Sequence, residues 1–268
     1  MAEEKKDERK ELALVLSGGS ARGMAHIGVI KTLEKNNISP NIVIGTSAGA
    51  MIGGMYAAGS LEAFEKTMLS KSKKQLNRLL QVWPSREGLI NTKRIEKEFR
   101  LLIDEKKIEN LDKKFMAVAV DLVSGKKIVF DKGDLCEAIL ASTAIPLMFP
   151  PVHKEEMLLV DGGIQDPLAI DIGFQYAKKV IAVNITTQSI MQKKDKYNYV
   201  DILQRALAIV ESDIITEEIK KYKENLFVLD LAVDIPILDF SRAKEAIDVG
   251  EKETKKHTDE IKELLKRK

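Results

Sequence analysis

The patterned part of the chain begins with "LALVLS" at 12–17, an apolar run that stops at two glycines. A continuous run of this kind predicts a parallel strand buried on both faces. "GGSARG" reads as a turn, and "MAHIGVIKTLEKNN" (24–37) has helical spacing. "NIVIG" (41–45) is a second buried run, and small apolar residues after Ser47 continue as a helix to about Gly59. Two buried strands joined by a helix make a βαβ unit with a right-handed crossover. Residues 60–110 differ: the pattern is helical, basic and amphipathic, interrupted at "WPSREG". "KKFMAVAVDLVSGKKIVF" (113–130) predicts two strands about a turn at Ser124–Gly125. "DLCEAILAST" predicts a short helix ahead of the proline-rich "AIPLMFPPV", and "EMLLVDGG" (156–163) a strand ending in a glycine turn. "PLAIDIGFQYAKK" predicts a helix with Pro167 in its first turn. Strand "KVIAVNIT", a helix over 197–222, strand "NLFVLDL" and a helical stretch over 240–266 complete the chain. The alternation predicts an α/β fold, a three-layer α/β/α sandwich with a mostly parallel central sheet.

Composition narrows the chemistry. A net charge of +2 over 268 residues gives no field for nucleic acid. A single cysteine, Cys136, excludes an intrachain disulfide framework and zinc–cysteine clusters, and its helical context suits a buried apolar role. The start "MAEEKKDERKE" has no apolar signal core. No apolar run approaches the roughly 20 residues of a membrane span. The expectation is a cytoplasmic protein with no metal and no cofactor.

"GTSAG" (45–49) fits G-x-S-x-G, with Ser47 between Gly45 and Gly49. A nucleophile on a strand-to-helix elbow has strained backbone angles and needs neighbours without bulk. A solvated hydroxyl in a packing turn is the plain alternative. The loop "SGGSARG" (17–23) opens the preceding helix, and amides there favour negative charge. They suit a phosphate or an oxyanion. A dinucleotide fingerprint would need a further Gly at Ser20 and an acidic residue after the second strand; both are missing. Because adjacent parallel strand ends lie side by side, the Gly18–Gly19 amides are expected to face Ser47. For a base, His26 reads as a packed helix residue and His257 as a solvated one. His153, in "PPVHKEE", is the one serious histidine. Beside it stands Asp161 in "LLVDGG", a carboxylate at the end of a buried strand, or an ordinary Asp-Gly turn.

"LALVLSGGSARGMAHIGVIKTLE", "IGTSAGAMIGGMYAAG", "ASTAIPLMFPPV" and "LLVDGG", in that order and spacing, resemble the patatin-like phospholipases over about residues 12–175. The resemblance implies a catalytic core at 12–175 carrying a helical insertion at 60–110. Residues 176–268 would complete the same domain, and 1–11 would be a charged tail. It also implies a Ser-Asp dyad of Ser47 and Asp161 and an oxyanion loop of Gly18, Gly19 and Ser20. Arg22, Gly23, Gly45, Gly49, Gly162 and Gly163 support those motifs. His26 matches a noncatalytic histidine of bacterial members. Ser20 departs from the family, which usually has glycine there; a left-handed backbone at that position would cost a serine energy. The implied partner is a lipid or other acyl ester. The basic, amphipathic stretch at 60–110 offers a cap over an acyl pocket, a surface for transient contact with an anionic membrane, or plain packing helices with a solvated basic face. Met148 and Phe149 are candidates to line an acyl channel, or simply to pack the core. Two rival readings are a catalytically silent lipid-binding or regulatory protein, and a nucleotide-binding domain built on the 17–23 loop.

Overall fold

In the computed structural model, which describes residues 9–82, 87–185, 199–222 and 224–267, the apolar runs pair into one eight-stranded sheet. The strands are β1 (Lys10–Leu16), β2 (Ile42–Thr46), β3 (Lys114–Asp121), β4 (Lys126–Phe130), β5 (Val152–Lys154), β6 (Met157–Asp161), β7 (Ala177–Asn184) and β8 (Leu226–Asp230). Their order is β5-β6-β3-β2-β1-β7-β8, with β4 also on β3. The run β3-β2-β1-β7-β8 is parallel throughout. β4, β5 and β6 are antiparallel, so the expected mostly parallel sheet is mixed on one side.

Side chains alternate along each strand, and here both faces are apolar. Leu12, Leu14 and Leu16 point to one face with Val43, Phe115 and Ile181. That face is covered by α1 (Ala25–Lys35), α2 (Ala48–Ala57), α6 (Leu135–Ser142) and α9 (Ala243–Lys256). Ala13 and Val15 point the other way with Ile42, Ile44, Met116 and Val118, under α7 (Ile170–Tyr176) and Ile215 of α8 (Tyr199–Lys221). The result is the expected helix–sheet–helix sandwich. Leu14 and Leu16 are fully buried, and burial on that scale stabilises by about 1.5–3 kcal/mol per side chain. α10 (Thr258–Lys266) closes the chain, its Leu265 carbonyl accepting a bond from Lys179 Nζ.

The 60–110 region forms α3 (Leu61–Ser70), α4 (Lys73–Leu79) and α5 (Lys93–Ile103). Ser72 caps α4 through a capping box with Gln75. The interruption at "WPSREG" falls largely outside the described residues. Just beyond it, the Leu89 and Ile90 amides donate to Leu147 and Met148 carbonyls, seating the end of this region on the proline-rich loop. Two expected boundaries move. β1 starts at Lys10, where Glu11 pairs with Lys179 of the neighbouring strand. Pro167 does not lie in a first helical turn: α7 begins at Ile170 and gives way to β7 at Ala177, because Ala177 pairs with β1. Among the described residues, no helix is long and apolar enough to cross a membrane.

Candidate active site

Ser47 sits between β2 and α2 with φ 56° and ψ −123°, a left-handed backbone that a non-glycine residue adopts only when its surroundings impose it. The glycines on either side explain how. A Cβ on Gly45 would lie 2.3 Å from the Gly49 carbonyl oxygen, and one on Gly49 would lie 2.1 Å from the Leu16 carbonyl oxygen. Neither can carry a side chain while the helix leaves the strand this sharply. The Ser47 amide donates to Ser142 Oγ at 2.9 Å, and Ser142 Oγ donates to the Val118 carbonyl at 2.6 Å. Ser142 thus ties the elbow to β3 from the end of α6. The Ser47 hydroxyl is left to point at a partner, with the N-terminus of α2 behind it.

That partner is Asp161. Ser47 Oγ donates to Asp161 Oδ2 at 2.5 Å, and Gly163 N donates to Oδ1 at 2.8 Å. The register of β3 explains how residues 114 positions apart meet. β4 covers one edge of β3 over Ala117–Asp121. β2 and β6 share the other edge end to end: Thr46 lies opposite Val118, and Asp161 opposite Ala119. Because β6 is antiparallel, the two strands run towards each other and their C-terminal ends collide at this point. The carboxyl group is buried, and burial pushes its pKa up to about 6, against the lowering pull of the Ser47 and Gly163 hydrogen bonds.

The 17–23 loop lies alongside. A Cβ on Gly18 would stand 3.3 Å from Ser47 Cβ, so the loop and the elbow touch. The Gly18 amide, however, donates to the Pro167 carbonyl at 3.3 Å rather than facing Ser47. Of the three residues expected in this loop, Gly19 and Ser20 are the ones whose amides bond no carbonyl among the described residues. Gly19 has φ 144° and Ser20 φ 50°. Ser20 therefore occupies a left-handed position of the kind that makes glycine the ordinary choice. Arg22 points away from the site: its Nε donates to the Ile235 carbonyl at 2.9 Å, and the Ala21 amide donates to Ile237. Gly23 packs against Ala48, and Gly162 against the Val118 carbonyl.

The histidines separate clearly. His26 is buried, and its Nε2–H donates to the Ser17 carbonyl at 2.9 Å, at the base of the loop; burial pushes its pKa down to about 4. His153 is exposed on β5 and faces Glu87 at 3.3 Å, not Ser47. His257 joins α9 to α10, paired with Glu260. Cys136 is buried, and burial pushes its thiol up to about 12. Met148 is buried, while Leu147 beside it is exposed.

Three features escaped the sequence reading. One is Ser142, whose neighbours in "ILAST" give no sign of its two backbone bonds. Another is Glu211 on α8, half-buried, whose Oε1 lies 2.7 Å from where a Gly163 Cβ would stand. The third is a cluster of Asp166, Asp171 and Glu218 close enough to hold a cation. Lys127 already occupies it, with Nζ 2.7 Å from Asp166 and 3.1 Å from Asp171. A protein ammonium ion supplies the positive charge there.

The arrangement can activate a hydroxyl with a carboxylate and receive developing negative charge at neighbouring amides. Residues 14–174 match the model of the family described as patatin-like phospholipase. An uncharacterized NTE family protein of Mycobacterium tuberculosis (strain H37Rv) is 40% identical over 157 residues, covering 59% of this chain and 44% of that protein. Patatin-like phospholipase domain-containing protein 6 of Mus musculus is 31% identical over 185 residues, covering 66% of this chain and 14% of that one. The chain thus spans less than half the length of these relatives. Among solved structures, VipD from Legionella pneumophila superposes with a TM-score of 0.51 at 14% identity, over 94% of this chain and 67% of that one. That likeness is one of fold.

Proposed function

This chain belongs to the patatin-like phospholipase family, and from that premise we propose that it is a serine acyl hydrolase acting on lipid carboxylic esters of the phospholipid or lysophospholipid class. The observation that carries the proposal is the 2.5 Å hydrogen bond from Ser47 Oγ, on a strained elbow, to the buried Asp161 carboxylate. Ser47 Oγ attacks the ester carbonyl carbon while its proton passes to Asp161. The carbonyl π electrons move to oxygen, where the Gly19 and Ser20 amides and the positive end of α2 receive the charge. The carbonyl then re-forms, the bond to the leaving alkoxide breaks, and Asp161 returns the proton to it. Water attacks the acyl-enzyme next, giving a proton to Asp161, and the acid departs as Ser47 recovers its hydrogen. A carboxylate raised to about 6 is a better base than an ordinary aspartate, yet is still ionised at neutral pH. The proposed setting is cytoplasmic, with the enzyme meeting its substrate at a membrane surface.

A fluorophosphonate probe and a short nitrophenyl ester test this reading. The unaltered protein is expected to label at Ser47 and turn over the ester. Ser47→Ala is expected to do neither, and Asp161→Asn to lose about 10²–10⁴-fold in turnover. His153→Ala is expected to keep full activity. Failure of the unaltered chain to label, or wild-type turnover by Asp161→Asn, would sink the dyad. Lost activity in a folded His153→Ala protein would put a histidine back in the mechanism.

A further inference from the structure

The Ser47–Asp161 pair has a carboxyl neighbour that the mechanism above does not use. Glu211 projects from α8, the helix that packs across the turn Gly162–Ile164 directly after Asp161. A Cβ on Gly163 would lie 2.7 Å from Glu211 Oε1 and 3.2 Å from Asp161 Oδ1, so both carboxyls press on the same glycine from the same side. A side chain at residue 163 would wedge between them. The absence of one brings the two acids together.

We propose that Glu211 is an auxiliary carboxyl of this site, a positioning residue that acts through Asp161 and sets how firmly that carboxylate holds the proton taken from Ser47. The proposal rests on the acyl-hydrolase reading of the same site.

The surroundings of Glu211 leave Asp161 as its main electrostatic partner. Gly162, Gly163 and Ile164 bring no titratable group. α7 brings Asp171 and Tyr176, and Asp171 is paired with Lys127. On α8, Asp213 and Glu217 are exposed. Glu218 lies two turns further along and belongs to the Lys127 cluster, which also holds Asp166; Arg205 lies nearly two turns earlier. Burial first, and the Asp161 charge second, push Glu211 up to about 8. Asp161, at about 6, ionises earlier. Near neutral pH the two acids therefore carry one negative charge, and Asp161 holds it. Above about pH 8 Glu211 ionises as well. Its charge then disfavours a second anion beside it and strengthens Asp161 as a base. During attack on the ester, negative charge leaves Asp161 for the carbonyl oxygen, away from Glu211, so the step speeds up.

The test is the rate of fluorophosphonate labelling of Ser47 in the full chain from pH 5 to 9.5. The unaltered protein is expected to show a first rise near pH 6 and a second near pH 8 of roughly threefold or more. Glu211→Gln should keep the first rise and lose the second. Glu211→Asp, which restores the charge on a shorter arm, should recover part of it. A purely structural role would change the rate evenly across pH. Labelling without a second rise in the unaltered chain, or a second rise that persists in Glu211→Gln, overturns this inference and leaves the dyad standing. No labelling at any pH overturns the dyad and this inference together.

Discussion

Replacing Asp161 with asparagine should make the protein more stable while removing its chemistry. The side chain is buried, and its pKa is raised from 3.8 to about 6. In the unfolded chain the same carboxyl titrates at its ordinary value. Between those values the native state binds more protons than the unfolded one, so stability falls as pH rises through the window. The cost is complete once pH passes the folded value. Two units at about 1.36 kcal/mol each amount to about 3 kcal/mol at neutral pH. Asparagine has the same shape and never ionises. Its amide oxygen can accept from Gly163 N, and its NH₂ can donate to Ser47 Oγ, so both existing contacts find a substitute. The Asp161→Asn protein should therefore gain up to about 3 kcal/mol at pH 7.5, a rise of about 6–12 °C in Tm for a chain of this size. The assay is thermal or urea unfolding of both proteins from pH 3.5 to 8. The gap should be near zero below pH 4, open between pH 4 and 6, and stay open above. Other carboxylates titrate equally in both proteins and cancel in the difference. Glu211 alone does not cancel; losing its charged neighbour adds to the gain with the same sign. A variant no more stable than the parent at pH 7.5, or a gap that ignores pH, would show that the buried Asp161 charge does not burden the fold.

Two further predictions concern the frame around the pair. Ser20→Gly should relieve a left-handed serine, worth about 1–2 kcal/mol. Loss of chain entropy on folding returns about 0.5–1 kcal/mol of that. A net gain of about 0.5–1 kcal/mol in urea unfolding is expected, and a destabilised variant would refute the strain argument. Ser142→Ala should strand the Ser47 amide and the Val118 carbonyl without their hydroxyl, at about 1–3 kcal/mol each. It should also lower kcat more than it raises KM, because the elbow loses its tie; unchanged kcat on the nitrophenyl ester would contradict that.

Much of this architecture is legible along the chain because its causes are local. β1 and β2 read as buried strands, since the runs Leu12–Leu16 and Ile42–Ile44 at their centres are wholly apolar and both faces are covered. The elbow is legible at Gly45 and Gly49 because any side chain there would strike backbone. The expected histidine roles also follow local context: His26 is packed and His257 half-exposed. Where local pattern fails, a distant contact has overridden it. Pro167 looks like a first-turn proline, yet its carbonyl accepts the Gly18 amide and the helix starts three residues later. Of the Gly18 and Gly19 amides expected to face Ser47, Gly18 is lost at the same place, because no pattern near residue 18 shows that residue 167 will take its amide.

Taken by itself, the sequence determined the alternation of strands and helices, the small-residue elbow, the glycine-rich loop and the carboxylate at a strand end. Each depends on sterics and polarity within a few residues. The tertiary structure alone decided that β6 would meet β2 head to head on one edge of β3. It also decided that Ser142 would pin the elbow, that Ile235 and Ile237 would clamp the loop from the far end of the chain, and that Glu211 would close on Asp161. These are pairings across long separations. They are set by register and packing between elements, to which neighbouring residues in the chain contribute no periodic signal.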